Sequence, residues 1–200
     1  FKADSDVSAL RNGLRTETEM PEVVQAVIHN CRLLKESTAG AFDPWAIPDG
    51  VDFSGYVKGW AADLIANMLV EKGFANVAVN AGGDVAVRGL QAEQTPWKIG
   101  IRNPHVSDEV VAVVQSSHAA IATSGTYERG LHLHNPNSGS ADVAMDAVTV
   151  VGPDGGQADA YATALLIAGT DGVEWFKGMP EWSGMLIKGE EVWKFGPAFA

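Results

Sequence analysis

Residues 52–84 read DFSGYVKGWAADLIANMLVEKGFANVAVNAGGD. Within this stretch Ala61, Leu64, Ile65, Met68 and Leu69 recur at steps of three and four, which predicts a helix with one buried stripe. Gly73 follows Lys72 where a helix of this length stops. Val77 and Val79 then alternate as in a strand, and the Gly82–Gly83 pair turns the chain into a second strand over 85–88. The reading is helix, then hairpin, with tight connections. At the helix start, Lys58 lies in or just before the first turn, flanked by Gly55 and Gly59. A cation is disfavoured there by the helix dipole, and the combination suits a bound anion such as a phosphate. A Gly-rich connection carrying a solvated Lys satisfies the same residues.

Residues before this stretch hold one further helix, from about Pro21 to Gly40, with Val24, Val27, Ile28, Cys31 and Leu34 on its inner face. The first twenty residues are polar and weakly patterned, and AFDPWAIPDG at 41–50 is a loop. After the hairpin come short strands at 97–101, 110–115, 119–123 and 131–134, and a strand at 145–151 with a near-continuous apolar run that belongs at the centre of a sheet. An Ala-rich helix at 158–168, a short helix near 171–177 and a hairpin at 184–195 complete the chain. Strands outnumber helices and short turns join most of them. The expected fold class is therefore α+β, a mostly antiparallel sheet with packed helices, in one domain over 1–200.

Net charge is −11 over 200 residues, with 46% hydrophobic and 20% charged residues. Such a surface argues against nucleic acid or an anionic membrane as partner. It also repels free phosphate compounds, so a phosphate-bearing ligand needs a local divalent cation or a buried Lys. A single cysteine, Cys31, permits no intrachain disulfide and argues against a Cys-based zinc site. No apolar run reaches membrane-spanning length. These features favour the cytoplasm; because the chain starts at Phe1, an exported form with a removed leader is the alternative.

Three constellations carry candidate chemistry. Asp159 and Thr163 stand four residues apart on one helix face and are hard oxygen ligands of the kind Mg²⁺ takes. An Asp in a first turn and a Thr bonded back to its own helix read the same way. The Asn80–Asp84 loop, NAGGD, offers N–H groups and a carboxylate beside glycines that admit a ligand to the backbone; a plain hairpin turn is equally consistent. His132 and His134 alternate along one strand face, and His132 has the ordinary pKa range of a general base. The ATSGTY loop, with Ser124 and Gly125, is a weaker signal.

Six segments in order resemble the ApbE family of FAD:protein FMN transferases: AFDP (41–44), SGYVKGWAAD (54–63), VNAGGD (79–84), ATSGTYERG (122–130), HLHNPNSG (132–139) and ADAYATALLIAG (158–169). The resemblance implies a fold related to the T-fold and an enzyme that uses Mg²⁺ and FAD. It would move FMN onto a Thr or Ser of an acceptor flavoprotein and release AMP. Some members instead cleave FAD to FMN and AMP, and a flavin-binding protein without catalysis is a further alternative. The family's metal ligands fall on Asp159 and Thr163, with a backbone carbonyl from Gly55. Its flavin-nucleotide contacts fall on Lys58, Gly59, Asp63, Asn80, Gly82, Gly83, Asp84, Ser124 and Gly125, and its proposed base on His132. Asn135 and Asn137 replace the family's usual Asp and Arg, the 45–52 stretch is short, and the family's N-terminal Met-Gly-Thr strand has no counterpart here.

Overall fold

The computed structural model describes residues 2–48, 50–126, 135–136, 138–140 and 142–200. Helices α1 (Asp6–Arg11), α2 (Glu22–Ser37) and α3 (Ser54–Glu71) come first. Strands β1 (Val77–Ala81), β2 (Asp84–Arg88), β3 (Trp97–Arg102), β4 (Val110–Ser116), β5 (His118–Gly125) and β6 (Ala147–Gly152) follow. Helix α4 (Gly155–Ala168), a 3₁₀ helix (Gly169–Phe176) and the hairpin β7 (Ser183–Lys188) to β8 (Glu191–Phe195) close the chain.

Six strands form one sheet in the order β1-β2-β5-β6-β7-β8, and every neighbouring pair is antiparallel. The α+β class expected from the strand-rich, short-turn sequence is the observed one. Strand β6 is buried along all six residues, as its near-continuous apolar run requires of a central strand. One face of the sheet carries the helices. There Ala122, Val148, Val150 and Leu186 meet α2 and α4 through Val27, Ile28, Cys31, Leu34, Leu165 and Leu166. The other face is covered by the separate β3–β4 hairpin, with Val85, Val87, Ile121 and Val151 against Ile101 and Val114. Helix α4 touches α3, α2, β5 and β6 and is buried nearly all round, which explains an Ala-rich sequence with no polar face.

Helix α3 overturns the expected stripe. Tyr56, Gly59, Ala62 and Ala66 are its buried residues, whereas Leu64, Ile65 and Met68 are 41%, 45% and 46% exposed. The reason is distance. A Cβ on Gly59 would lie 2.1 Å from the Gly155 carbonyl oxygen, and one on Gly155 would lie 2.3 Å from that of Gly59. The two helices cross backbone to backbone, and only the Gly/Ala face of α3 permits that approach. The helix also begins at Ser54, so Lys58 is its fifth residue and not part of the first turn. Asp159 is likewise fifth in α4. The acid that caps α4 is its N-cap residue Asp154, whose carboxylate accepts the Gln157 N–H at 2.8 Å.

The N-terminal segment, polar and weakly patterned in sequence, contains α1, capped by the Ser5 hydroxyl accepting from the Ser8 N–H at 3.2 Å. The expected strand at 131–134, with His132 and His134, lies outside the described residues.

Candidate functional site

The α3–α4 crossing sets up the site. Because Gly59 admits the α4 backbone, its N–H donates to the Asp159 carboxylate at 3.2 Å. Gly55, one turn earlier, faces Thr163, one turn later in α4. A Cβ on Gly55 would stand 3.0 Å from the Thr163 hydroxyl oxygen. The two glycines of α3 thus match Asp159 and Thr163 of α4, spaced by four on both helices. Strand β5 reaches the same place from the sheet. The Ser124 hydroxyl lies 3.2 Å from that of Thr163.

Asp84 enters from β2. Ladder pairing between β2 and β5 ends at Val85 opposite Ile121. One residue further, the Asp84 carboxylate accepts the Thr123 N–H at 3.3 Å in place of a backbone carbonyl. The same oxygen is 3.3 Å from the Lys58 ammonium, which reaches across from α3. The NAGGD tip folds over this pair. Asn80 accepts the Gly83 N–H at 3.0 Å, Gly82 and Gly83 have φ of 61° and 103°, and Gly82 faces the Lys58 stem. Such φ values favour glycine at both positions.

The electrostatics are unusual for a chain turn. Asp84 is 1% exposed and Asp159 2% exposed. Burial first, and the Asp159 charge second, push the Asp84 carboxyl up to about 8, with Lys58 and the Thr123 N–H opposing. The second Asp84 oxygen is buried with no hydrogen-bond partner among the described residues. A buried oxygen left without a donor costs about 1–3 kcal/mol, more if ionised. Two buried carboxylates, two hydroxyls and one ammonium therefore converge where α3, α4, β2 and β5 meet. The oxygens are the hard donors that a cation such as Mg²⁺ takes, and Asp84 holds an oxygen able to accept one more bond. No cluster of three or more His, Cys, Asp or Glu stands among the described residues, so hydroxyl and carbonyl oxygens would complete any such set. Cys31, with burial raising its thiol to about 12, offers no thiolate.

The sequence model of the ApbE family matches residues 48–185, which takes in every residue of this cluster. The chain belongs to the ApbE family. Curated relatives carry the name FAD:protein FMN transferase. That of Vibrio cholerae serotype O1 is 35% identical over 98 residues, 44% of this chain and 29% of the relative. That of Salmonella typhimurium is 33% identical over 98 residues, 44% of this chain and 28% of the relative. The matched segments thus span under a third of those relatives' own length. The fold is shared more widely. The flavin transferase ApbE from Vibrio cholerae superposes with a TM-score of 0.83 at 22% identity, over 100% of this chain and 83% of that one. The ApbE protein from Thermotoga maritima gives 0.80 at 21% identity, over 95% and 82%.

Within this ApbE fold, Gly55, Lys58, Gly59, Gly82, Asp84, Ser124, Asp159 and Thr163 fall into one cluster, and Asn80 and Gly83 form the tip above it. Gly125 ends β5 opposite Ala147, beside Ser124. Asp63 is placed differently from the rest. It forms an ion pair with the buried Arg88, which also donates to Asn67 at 3.0 Å and to the Val87 and Ala119 carbonyls. That set ties α3 to β2 and β5 one turn beyond the cluster. His132 lies outside the described residues. Thr123 is the neighbour that sequence reading passes over. Its contribution is a backbone N–H, which no side-chain pattern reports.

Proposed function

We propose that the chain is a Mg²⁺-dependent FAD:protein FMN transferase that moves FMN from FAD onto a Ser or Thr hydroxyl of an acceptor protein and releases AMP. The observation that carries this reading is the buried Asp84 oxygen, without a hydrogen-bond partner among the described residues, beside Asp159 and Lys58. Carboxylates that close together repel unless a cation joins them, and a pyrophosphate brings further negative charge. The ApbE membership and the relatives' names point to the same chemistry.

On this reading Asp159, Thr163 and the Gly55 carbonyl would hold Mg²⁺, and Asp84, whose carboxyl feels the Asp159 charge, would border it. Bound there, the ion supplies charge neutralisation on the pyrophosphate oxygens. Lys58, which pairs with Asp84 at 3.3 Å, would offset charge on a phosphate oxygen. The NAGGD tip and Asp63 border the nucleotide, and Ser124 orients the Thr163 hydroxyl. His132 takes the proton of the acceptor hydroxyl. The hydroxyl oxygen then bonds to the phosphorus of the FMN half, the bridging P–O bond breaks, and AMP departs with its electron pair.

Incubation with FAD and Mg²⁺, with and without an acceptor, tests the reading by chromatography for AMP and mass analysis of the acceptor. AMP together with an FMN adduct on Ser or Thr is the expected result. AMP with free FMN and no adduct on a proven acceptor would replace transfer by hydrolysis. Asp159→Ala should lose both Mg²⁺ binding and turnover, and full activity in that variant would sink the metal assignment.

A further inference from the structure

The proposed transfer needs a place for a protein, and one feature of the fold is not used by the nucleotide site. Strand β3 pairs only with β4, so its other edge has no strand partner among the described residues. Beside that edge runs a half-open cavity of about 470 Å³. All of β3 lines it, outward and inward residues alike, and no β4 residue does. The cavity is therefore bounded by the edge of β3 and not by its face. Its apolar floor is Val85 and Ile121, from the sheet face opposite the helices. One end is formed by Asn80, Gly83 and Thr123. Thr123 donates its N–H to Asp84, so this end of the groove abuts the candidate site.

The edge is fixed and charged. Trp97 Nε1–H donates to the Arg88 carbonyl at 3.1 Å, which pins β3 over β2. Lys98 and Arg102 both line the cavity, both are exposed, and neither has an ion pair among the described residues. Residues four apart on a strand point the same way, so the two cations share one side of the edge, with Gly100 between them. On a chain of net charge −11, two unpaired cations along one groove are a local exception. A strand edge with free N–H and C=O groups is a template for an added strand. Six residues of β3 offer about 20 Å of it.

We infer that the free edge of β3 docks the acceptor protein: an extended, acidic segment lies along Trp97–Arg102 as an added strand and delivers its Ser or Thr hydroxyl to the Asn80–Asp84 end of the groove. The inference rests on the transferase reading for the identity of the guest, and on the groove for its shape and charge. Backbone pairing supplies affinity, and Lys98 and Arg102 select for acidic flanks.

The test uses the full chain and short synthetic peptides with a central Thr flanked by Asp or by Lys. Hydrogen exchange reports the β3 amides, and FMN transfer gives KM and kcat. The Asp-flanked peptide should slow exchange over 97–102. The double variant K98E/R102E, altered only at exposed positions, should raise KM for that peptide by about tenfold or more. FAD affinity and kcat should hold, and the Lys-flanked peptide should become the better substrate of the variant. Transfer to the Asp-flanked peptide with unchanged KM in the variant and unprotected β3 amides would overturn the docking site and leave the transferase standing. Protection of β3 with FAD cleaved but no adduct formed would uphold the docking site and overturn the transferase. Protection of β3 by FAD alone would make the groove a flavin subsite and end the proposal. Neither protection nor transfer would reject both.

Discussion

Gly59→Ala probes the contact on which the site depends. In an exposed helix the change is favourable by about 1 kcal/mol, because Ala forms helix more readily than Gly. Here the new methyl would sit 2.1 Å from the Gly155 carbonyl oxygen, 2.8 Å from its carbon and 3.0 Å from Asp159 Cβ. Carbon–carbon contacts prefer about 3.5–4.0 Å, so the helices must part by roughly 1 Å. Overpacking of this kind costs about 1–3 kcal/mol. Parting also stretches the 3.2 Å bond from the Gly59 N–H to the Asp159 carboxylate, and bonds to charged groups contribute about 1.5–3 kcal/mol. Set against the propensity gain, the net loss is about 2–4 kcal/mol, on the order of 10 °C in Tm for a chain this long. Differential scanning calorimetry in EDTA measures it, and Mg²⁺ titration of the folded variant should show weakened binding. Gly155→Ala should behave alike, and the double variant should cost less than the two single costs added together, because one separation relieves both clashes. A Gly59→Ala protein that melts at or above the parent temperature would refute the backbone-to-backbone crossing.

Asp63→Ala removes the partner of buried Arg88 and should destabilise by about 3–5 kcal/mol. Restored turnover on cooling would show that this residue acts through the fold, whereas inactivity at every temperature would place it at the nucleotide. Gly55→Ala presses on the Thr163 hydroxyl at 3.0 Å and on Phe42 at 3.4 Å, contacts a small shift relieves. Mg²⁺ affinity, read by calorimetric titration, should fall more than Tm does, and the reverse pattern would remove Gly55 from the site. In EDTA the folded state keeps the Asp84 proton up to about pH 8, whereas the unfolded chain releases it near 3.9. The Asp84 contribution to stability is therefore full below about pH 4, declines as pH rises towards 8 and levels above it. Urea midpoints at about pH 5 and about pH 9 should differ in the parent and converge in Asp84→Asn; parallel curves would count against this carboxyl.

Local signals in the sequence were enough for the fold class and for the order of the described elements from α2 onward, though not for α1. Gly73 ends α3 with φ of 95°, the Gly-Gly turn builds the β1–β2 hairpin, and the apolar run at 147–152 is the central strand. Face assignment failed where helices meet backbone to backbone. In α3 the bulky residues mark the outside, because contact with α4 selects the smallest residues and not the most apolar. The spacing of Asp159 and Thr163 was readable because both sit on one helix. Their neighbours were not, because Asp84 with Lys58 and Arg88 with Asp63 pair across 26 and 25 positions of chain. Only the packing of β2 on α3 brings them together, and periodicity within a single element carries no trace of that. The family motifs supplied the list of residues; the orphaned oxygen and the crossing glycines supply the reasons those residues belong together.

The charge arrangement also bears on what the site accepts. Asp84, Asp159 and Lys58 in ionised form leave one net negative charge in a buried place, inside a chain already at −11. With the Asp84 proton in place the three groups sum to zero and offer a free phosphate or nucleotide no net attraction; with it released they repel one. A divalent cation reverses the sign and lets a pyrophosphate enter as its partner. On the proposed reading the same carboxylates would therefore favour a metal-bound diphosphate over the free anions that compete with it. The raised Asp84 carboxyl fits that balance, since without a cation its proton stands in as the neutralising charge. On the proposed reading, selectivity would come from withholding positive charge until a metal binds, in contrast to glycine-rich loops whose N–H groups bind any phosphate offered to them.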